Sequence, residues 1–197
     1  MQPHKLIISI INKLILILES AISELRIKAE NVETSKSLKV KGLIYISNQG
    51  IIKIGENVKI NSSLLGNPIA NGRCSFATTP TGEIIISDNV GISGTTIYSA
   101  NKIYIGKNSY IGAGVKIFDT DFHSLSHIER FTKGDCNIKT GAVTISENCF
   151  IGAESIILKN ISIGENSVVA AGSIVVSNIP ENEVWGGVPA RFLKKNI

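Results

Sequence analysis

The sequence predicts an all-β solenoid of short strands and tight turns, preceded by one α-helix. Three observations lead there. Aliphatic residues recur at every sixth position, Gly and Asn gather between them, and the opening segment replaces this rhythm with three- and four-residue steps. At 197 residues the chain can hold one domain and an appendage. A hydrophobic share of 43% with 18% charged residues excludes a disordered chain. The net charge of +4 is too mild to argue for nucleic acid, and it suits a partner carrying a few phosphates. Cys74, Cys136 and Cys149 are odd in number and lack paired spacing, which argues against a disulfide framework and for a reducing, cytoplasmic setting.

Residues 5–30 read as a helix, with Ile7, Ile11, Leu14, Leu18, Ile22 and Leu25 on one face and Ser9, Lys13, Ser20 and Glu24 opposite. Ile8, Ile10, Ile15 and Ile17 widen the apolar stripe. Two readings stand: packing on its own domain or a neighbouring subunit, or docking on a membrane surface or membrane-bound partner. The apolar run Leu6–Leu18 is interrupted by Lys13 and is too short for a membrane span. Asn31–Ser37 reads as a polar linker, so residues 1–36 form the appendage and residues 37–197 the coil.

The coil signal is clearest at Ile145, Ile151, Ile157, Ile163, Val169 and Val175, with Cys149, Ser155, Ile161, Ser167, Ser173 and Ile179 four places after each. An α-helix drifts by about 120° over six residues, so it cannot keep such a stripe on one side. Stacked turns of short strands can, with Gly and Asn at corners that need a positive φ. Two stretches depart from the rhythm. Gly66–Glu83 is an irregular coil or an outward loop, and about residues 119–144 form an insertion of the kind that carries sites in repeat proteins.

That insertion begins FDTDFHSLSHIER, from Phe118 to Arg130. His123 is the candidate base, since imidazole titrates near neutrality and can take a proton from a hydroxyl. Asp119, Asp121 and His123 alternate, so an extended backbone puts all three on one face. Asp121 then orients the imidazole, or the acids bind acceptor hydroxyls, or they build an Asx turn. His127 is a loop residue close to the acceptor. His4 lies in the appendage, so the three histidines do not suggest a metal site.

The phrases IGENVK, IGKNSY, IGAGVK, IGAESI and IGENSV resemble the hexapeptide repeat of the left-handed parallel β-helix acyltransferases, over roughly residues 40–194. DFHS resembles the catalytic-histidine segment of that family's polysaccharide O-acetyltransferases. The resemblance implies a homotrimer that moves acetyl from acetyl-CoA to a sugar hydroxyl, with no metal, no nucleic-acid partner and His123 as base; transfer to the amine of an amino sugar or small molecule, and a non-catalytic subunit of a glycan-synthesis complex, are the other readings. It also implies CoA in a groove between subunits, with Ala153, Ala171 and Gly172 along the pantetheine arm and Arg191 and Lys194 near phosphate; a solvated tail is the other reading of the basic residues. Val176-Ser177 stands where many relatives carry Thr-Lys, so nucleotide contacts differ here. Phe150 replaces the family's frequent Trp and can stack on an acceptor or cofactor. Trp185 reads as a cap on the last coil. The setting implied is the cytoplasm, at the inner face of the membrane if the helix docks there.

Overall fold

The computed structural model describes residues 3–65, 69 and 72–196, with the side chain of Pro3 left undescribed. The fold is the expected left-handed parallel β-helix behind an N-terminal helix. Helix α1 (Pro3–Ala29) precedes a first coil of β1 (Glu33–Thr34), β2 (Lys39–Gly42) and β3 (Tyr45–Asn48). The second coil holds β4 (Ile51–Ile54), β5 (Lys59–Ser62) and β6 (Ser75–Thr78); the third holds β7 (Glu83–Ile86), β8 (Gly91–Ser93) and β9 (Thr96–Ser99). The fourth holds β10 (Lys102–Ile105), β11 (Tyr110–Ile111) and β12 (Lys116–Phe118). Helix α2 (His127–Thr132) lies in the insertion that follows. Then come β13 (Val143–Ile145), β14 (Phe150–Ile151), β15 (Ile156–Ile157), β16 (Ser162–Ile163), β17 (Val168–Val169) and β18 (Ile174–Val175). A closing hairpin is made of β19 (Glu183–Gly187) and β20 (Ala190–Lys195).

Every third strand pairs with the one a coil below, giving three walls. Wall one runs β1-β4-β7-β10-β13-β16, wall two β2-β5-β8-β11-β14-β17-β19-β20, and wall three β3-β6-β9-β12-β15-β18. The register stacks like on like: Ile54, Ile86, Ile105, Ile145 and Ile163 on wall one, and Ile46, Phe76, Ile97, Ile117, Ile157 and Val175 on wall three. All of these are buried, so the six-residue rhythm is the core itself. At the corner between walls one and two, Asn57, Asn89, Asn108, Asn148, Asn166 and Asn182 all hold φ near +60°. Their side chains form ladder bonds, such as Asn89 Nδ2 to Asn108 Oδ1 and Asn108 Nδ2 to Asn148 Oδ1, both 3.1 Å. Inward Ser109, Ser155, Ser167 and Ser173 donate to turn carbonyls, which satisfies their buried hydroxyls.

Two sequence expectations change here. Asn31–Ser37 is not a free linker, because β1 lies within it and pairs with β4, so the coil begins earlier. The apolar stripe of α1 does not pack on its own domain. Ser20, Ser23, Arg26, Ile27 and Glu30 seat the helix instead: Ser23 Oγ donates to Gly42 O (2.8 Å) and accepts from Ile44 N (3.0 Å), and Arg26 Nη1 donates to Ile44 O (2.7 Å). These bonds serve backbone groups at the open end of the coil, where no further coil can supply partners. Part of the irregular stretch Gly66–Glu83 lies outside the described residues; register is regained at Ser75, where β6 begins.

Burial pushes the Cys74 and Cys149 thiols up to about 11, which leaves them protonated at pH 8, while Cys136 is half-exposed in the insertion. A thiol reagent at pH 8 is expected to label Cys136 alone in the native protein, and all three after unfolding. Native labelling of Cys74 or Cys149 by mass spectrometry would contradict the packing.

Candidate active site

The insertion leaves wall three after β12 and re-enters wall one at β13, at the corner between them. Its neck is a small antiparallel ladder. Gly141 N donates to Asp119 O (2.8 Å), Asp121 N donates to Lys139 O (3.0 Å), and Thr120 bridges Thr140. The neck is tied to the coils on both sides. The fully buried Asp119 carboxylate accepts from Ser99 Oγ (2.6 Å), Ala100 N (2.7 Å) and Asn101 N (2.9 Å) in the coil below. Asp121 Oδ1 pairs with Lys159 Nζ at 2.7 Å, and Gly141 O accepts from Asn160 N at 3.0 Å, both from the coil above. The Asn160 side chain packs over Gly141, where a Cβ would stand 1.8 Å from Asn160 Oδ1 and push that amide aside.

Beyond the neck the backbone turns sharply. Phe122 holds φ at +62°, and His123 N donates to Asp121 O at 2.7 Å. The Phe122 ring rests against Tyr98 (4.9 Å) and edge-on to Phe118 (5.2 Å), a contact that anchors a strained position. His123 then stands at the mouth of the loop with its side chain 71% exposed, and its Nδ1 lies 2.5 Å from Asp135 Oδ2. Asp135 Oδ1 accepts from Ser124 N at 2.9 Å, so one carboxylate fixes both the ring and its backbone. That amide, and then the imidazole, hold the Asp135 carboxyl below the usual carboxylate value. An ionised carboxylate only accepts, so in the neutral ring Nδ1 carries the proton and Nε2 the lone pair.

The remainder of the loop is cross-braced. Ser124 Oγ donates to Glu129 Oε2 (2.5 Å), Asn137 Nδ2 to Glu129 Oε1 (2.7 Å), and Arg130 Nη1 to Ser124 O. Those bonds, Ser124's first, keep the Glu129 carboxyl low as well. Ser126 caps α2, which begins at the exposed His127.

The geometry revises the roles read from sequence. Asp119, Asp121 and His123 do not leave one face, because the turn at Phe122 ends the extended piece. Asp119 is not an acceptor ligand, since both its oxygens are occupied within the coil. Asp121 does not orient the imidazole: its Oδ1 faces Lys159, and its buried Oδ2 has no hydrogen-bond partner among the described residues. The imidazole's partner is Asp135, twelve residues on, and no period or motif in the sequence points to it.

Phe150 is on wall two, 49% exposed, beside Tyr110 and Ala153 in a groove of about 600 Å3 that also takes in Lys39, Lys41 and Lys59. Ala153, Ala171 and Gly172 come together at the corner of walls two and three, where Gly172 N donates to Ala153 O at 2.8 Å. A Cβ at Gly172 would meet nothing within 4 Å, so this column of small residues is open outward. Arg191 and Lys194 lie exposed on β20, the last strand of wall two, and neither pairs with a carboxylate among the described residues. Lys195 does pair, with Glu183 at 2.7 Å, and Trp185 Nε1 donates to that same carboxylate at 2.7 Å.

Replacing Asp119 with Ala strands the Ala100 and Asn101 amides and is expected to cost about 3 kcal/mol in denaturant unfolding. Asp119→Asn keeps an acceptor and is expected to lose less. Equal, negligible losses would show that the neck is not anchored as described.

Comparison with known proteins bears on this arrangement. The family model described as the hexapeptide repeat of succinyl-transferase matches residues 142–177. WbbJ of Escherichia coli strain K12, named as a lipopolysaccharide biosynthesis O-acetyl transferase, is 32% identical over 157 residues, spanning 77% of this chain and 75% of WbbJ. A mutant of AntD, an N-acyltransferase from Bacillus cereus, solved with dTDP and coenzyme A, superposes with a TM-score of 0.69 at 25% identity over 84% of each chain. A hexapeptide-repeat-containing acetyltransferase from Vibrio cholerae shares the fold, with a TM-score of 0.57 and 22% identity over 91% of this chain and 81% of that one.

Proposed function

The chain belongs to the hexapeptide-repeat acyltransferase family, and from that premise we propose that it moves an acetyl group from acetyl-CoA to a sugar hydroxyl of a surface-polysaccharide precursor. The observation that carries this reading is the His123–Asp135 pair, which leaves a lone pair on Nε2 at the loop mouth. Acetyl-CoA supplies an acyl group activated as a thioester. His123 Nε2 takes the proton of the acceptor hydroxyl as its oxygen attacks, and Asp135 steadies the positive charge that arises on the ring. The proton then passes to the departing thiolate. The open column of Ala153, Ala171 and Gly172 has room for a pantetheine arm, and unpaired Arg191 and Lys194 suit its phosphates.

The reading requires a second copy of the chain. His123 leaves the corner of walls three and one, whereas Phe150, Arg191 and Lys194 lie on wall two, the opposite side of a three-walled coil. A site holding all of them takes the loop from one subunit and wall two from its neighbour, which three copies around an axis provide three times over. The aromatic faces of Tyr110 and Phe150 beside Lys39, Lys41 and Lys59 suit a sugar on a phosphate-bearing carrier. The setting we propose is the cytoplasm.

His123→Ala is expected to lower transfer about 10²–10⁴-fold while acetyl-CoA still binds, measured by thiol release and by calorimetry. Transfer at the wild-type rate would overturn the mechanism. Likeness to AntD supports a second reading, transfer to an amine of a nucleotide-linked sugar. An amine can shed its proton after attack, so only a small loss in His123→Ala with an amino-sugar acceptor marks that case.

Asp135→Asn is expected to lower transfer roughly 10–100-fold, less than for a fully buried triad because water competes for both groups. Since the depressed Asp135 carboxyl stays ionised down to its own low range, its effect persists at every pH above that range. The loss is expected in kcat, with acetyl-CoA binding unchanged. A wild-type kcat would make Asp135 a merely structural brace.

A further inference from the structure

We propose that the N-terminal half of α1 lies in the plane of an anionic lipid surface and holds the enzyme there. The inference does not depend on which acceptor the enzyme uses. At 100° per residue, the exposed Leu6, Ile7, Ile8, Ile10, Ile11, Leu14, Ile15, Ile17 and Leu18 cover an arc of about 200°. Lys5, Ser9, Asn12 and Lys13, with the half-buried Leu16 among them, fill the remaining face. That polar face continues into the one that seats on the coil through Ser20, Ser23 and Ile27. The helix therefore turns its apolar side away from its own domain, the reverse of an ordinary amphipathic surface helix.

Among the described residues, the part of α1 that is free of the coil is shorter than a bilayer is thick. From Glu19 onward the helix is committed to the coil, with Glu19 paired to Arg73 at 2.6 Å and Ser23 fully buried. The helix before it, from Pro3 to Leu18, rises about 24 Å, shorter than the ~30 Å hydrocarbon layer. Charge and the width of the arc decide between lipid and further copies of the chain. Residues 1–18 hold Lys5 and Lys13 and no Asp or Glu. Lys13 lies at one rim of the arc and Lys5 on the polar face behind it, and a helical seam between copies uses a stripe much narrower than about 200°. A wide aliphatic arc with a lysine at its rim and no acid beside it fits phospholipid tails below and anionic headgroups above.

The test is vesicle flotation of the full chain with phosphatidylcholine alone and with phosphatidylcholine–phosphatidylglycerol mixtures. Wild type is expected to float with the mixed vesicles, and about ten-fold less with the neutral ones. Ile11→Gln/Leu14→Gln/Leu18→Gln is expected to lose flotation by roughly ten-fold or more, with unchanged circular dichroism and unchanged transfer to a soluble acceptor. Lys5→Gln/Lys13→Gln is expected to erase the preference for anionic lipid. The proposal fails if wild type does not float with mixed vesicles, or if the triple variant floats equally well. It also fails if, without lipid, wild type has a larger solution mass than the triple variant, which would assign the face to further copies.

Discussion

A parallel coil survives an insertion only if the chain returns to register, and the neck at residues 119–121 and 139–141 enforces that return. The buried Asp119 carboxylate draws in three donors from the turn below, while Lys159 and Asn160 hold the neck from above. Without those ties, β13 would have no fixed partner on β10, and the stacked isoleucines above the loop would lose their alignment with those beneath. The same ties deliver His123 to one place, because only the sharp turn at Phe122 separates it from the neck.

The division of labour among the acids follows from burial. A carboxylate at the root of the loop is surrounded by unpaired turn amides, and leaving those unsatisfied would cost more than any gain from reaching a substrate. Asp119 and Asp121 are therefore spent on the scaffold. The partner for the imidazole comes from the returning side of the loop, where Asp135 is free to accept from both the ring and the Ser124 amide. Proximity in sequence was a poor guide to proximity in space because the chain reverses between them.

The coil was legible because its core is a period: Ile145 to Val175 marks the inward positions, and asparagines mark the corner between walls one and two. The column of Ala153, Ala171 and Gly172 was expected from the family resemblance, and the stacking of coils brings those positions together. The loop obeys no period. His123 stood out by residue type, but Asp135, Glu129 and Arg130 owe their places to hydrogen bonds across a fold-back that no spacing encodes. The helix shows a third case: its stripe was plain in the sequence, yet the side it presents was set by serines that meet open backbone groups at the end of the coil.

The central claim is that the loop fixes His123 with its proton on Nδ1 and its lone pair outward. Nitrogen-15 NMR of the imidazole in the full chain tests it most directly. A single neutral tautomer, protonated at Nδ1 and unprotonated at Nε2, is the predicted result. Protonation at Nε2, or two tautomers in exchange, would contradict it.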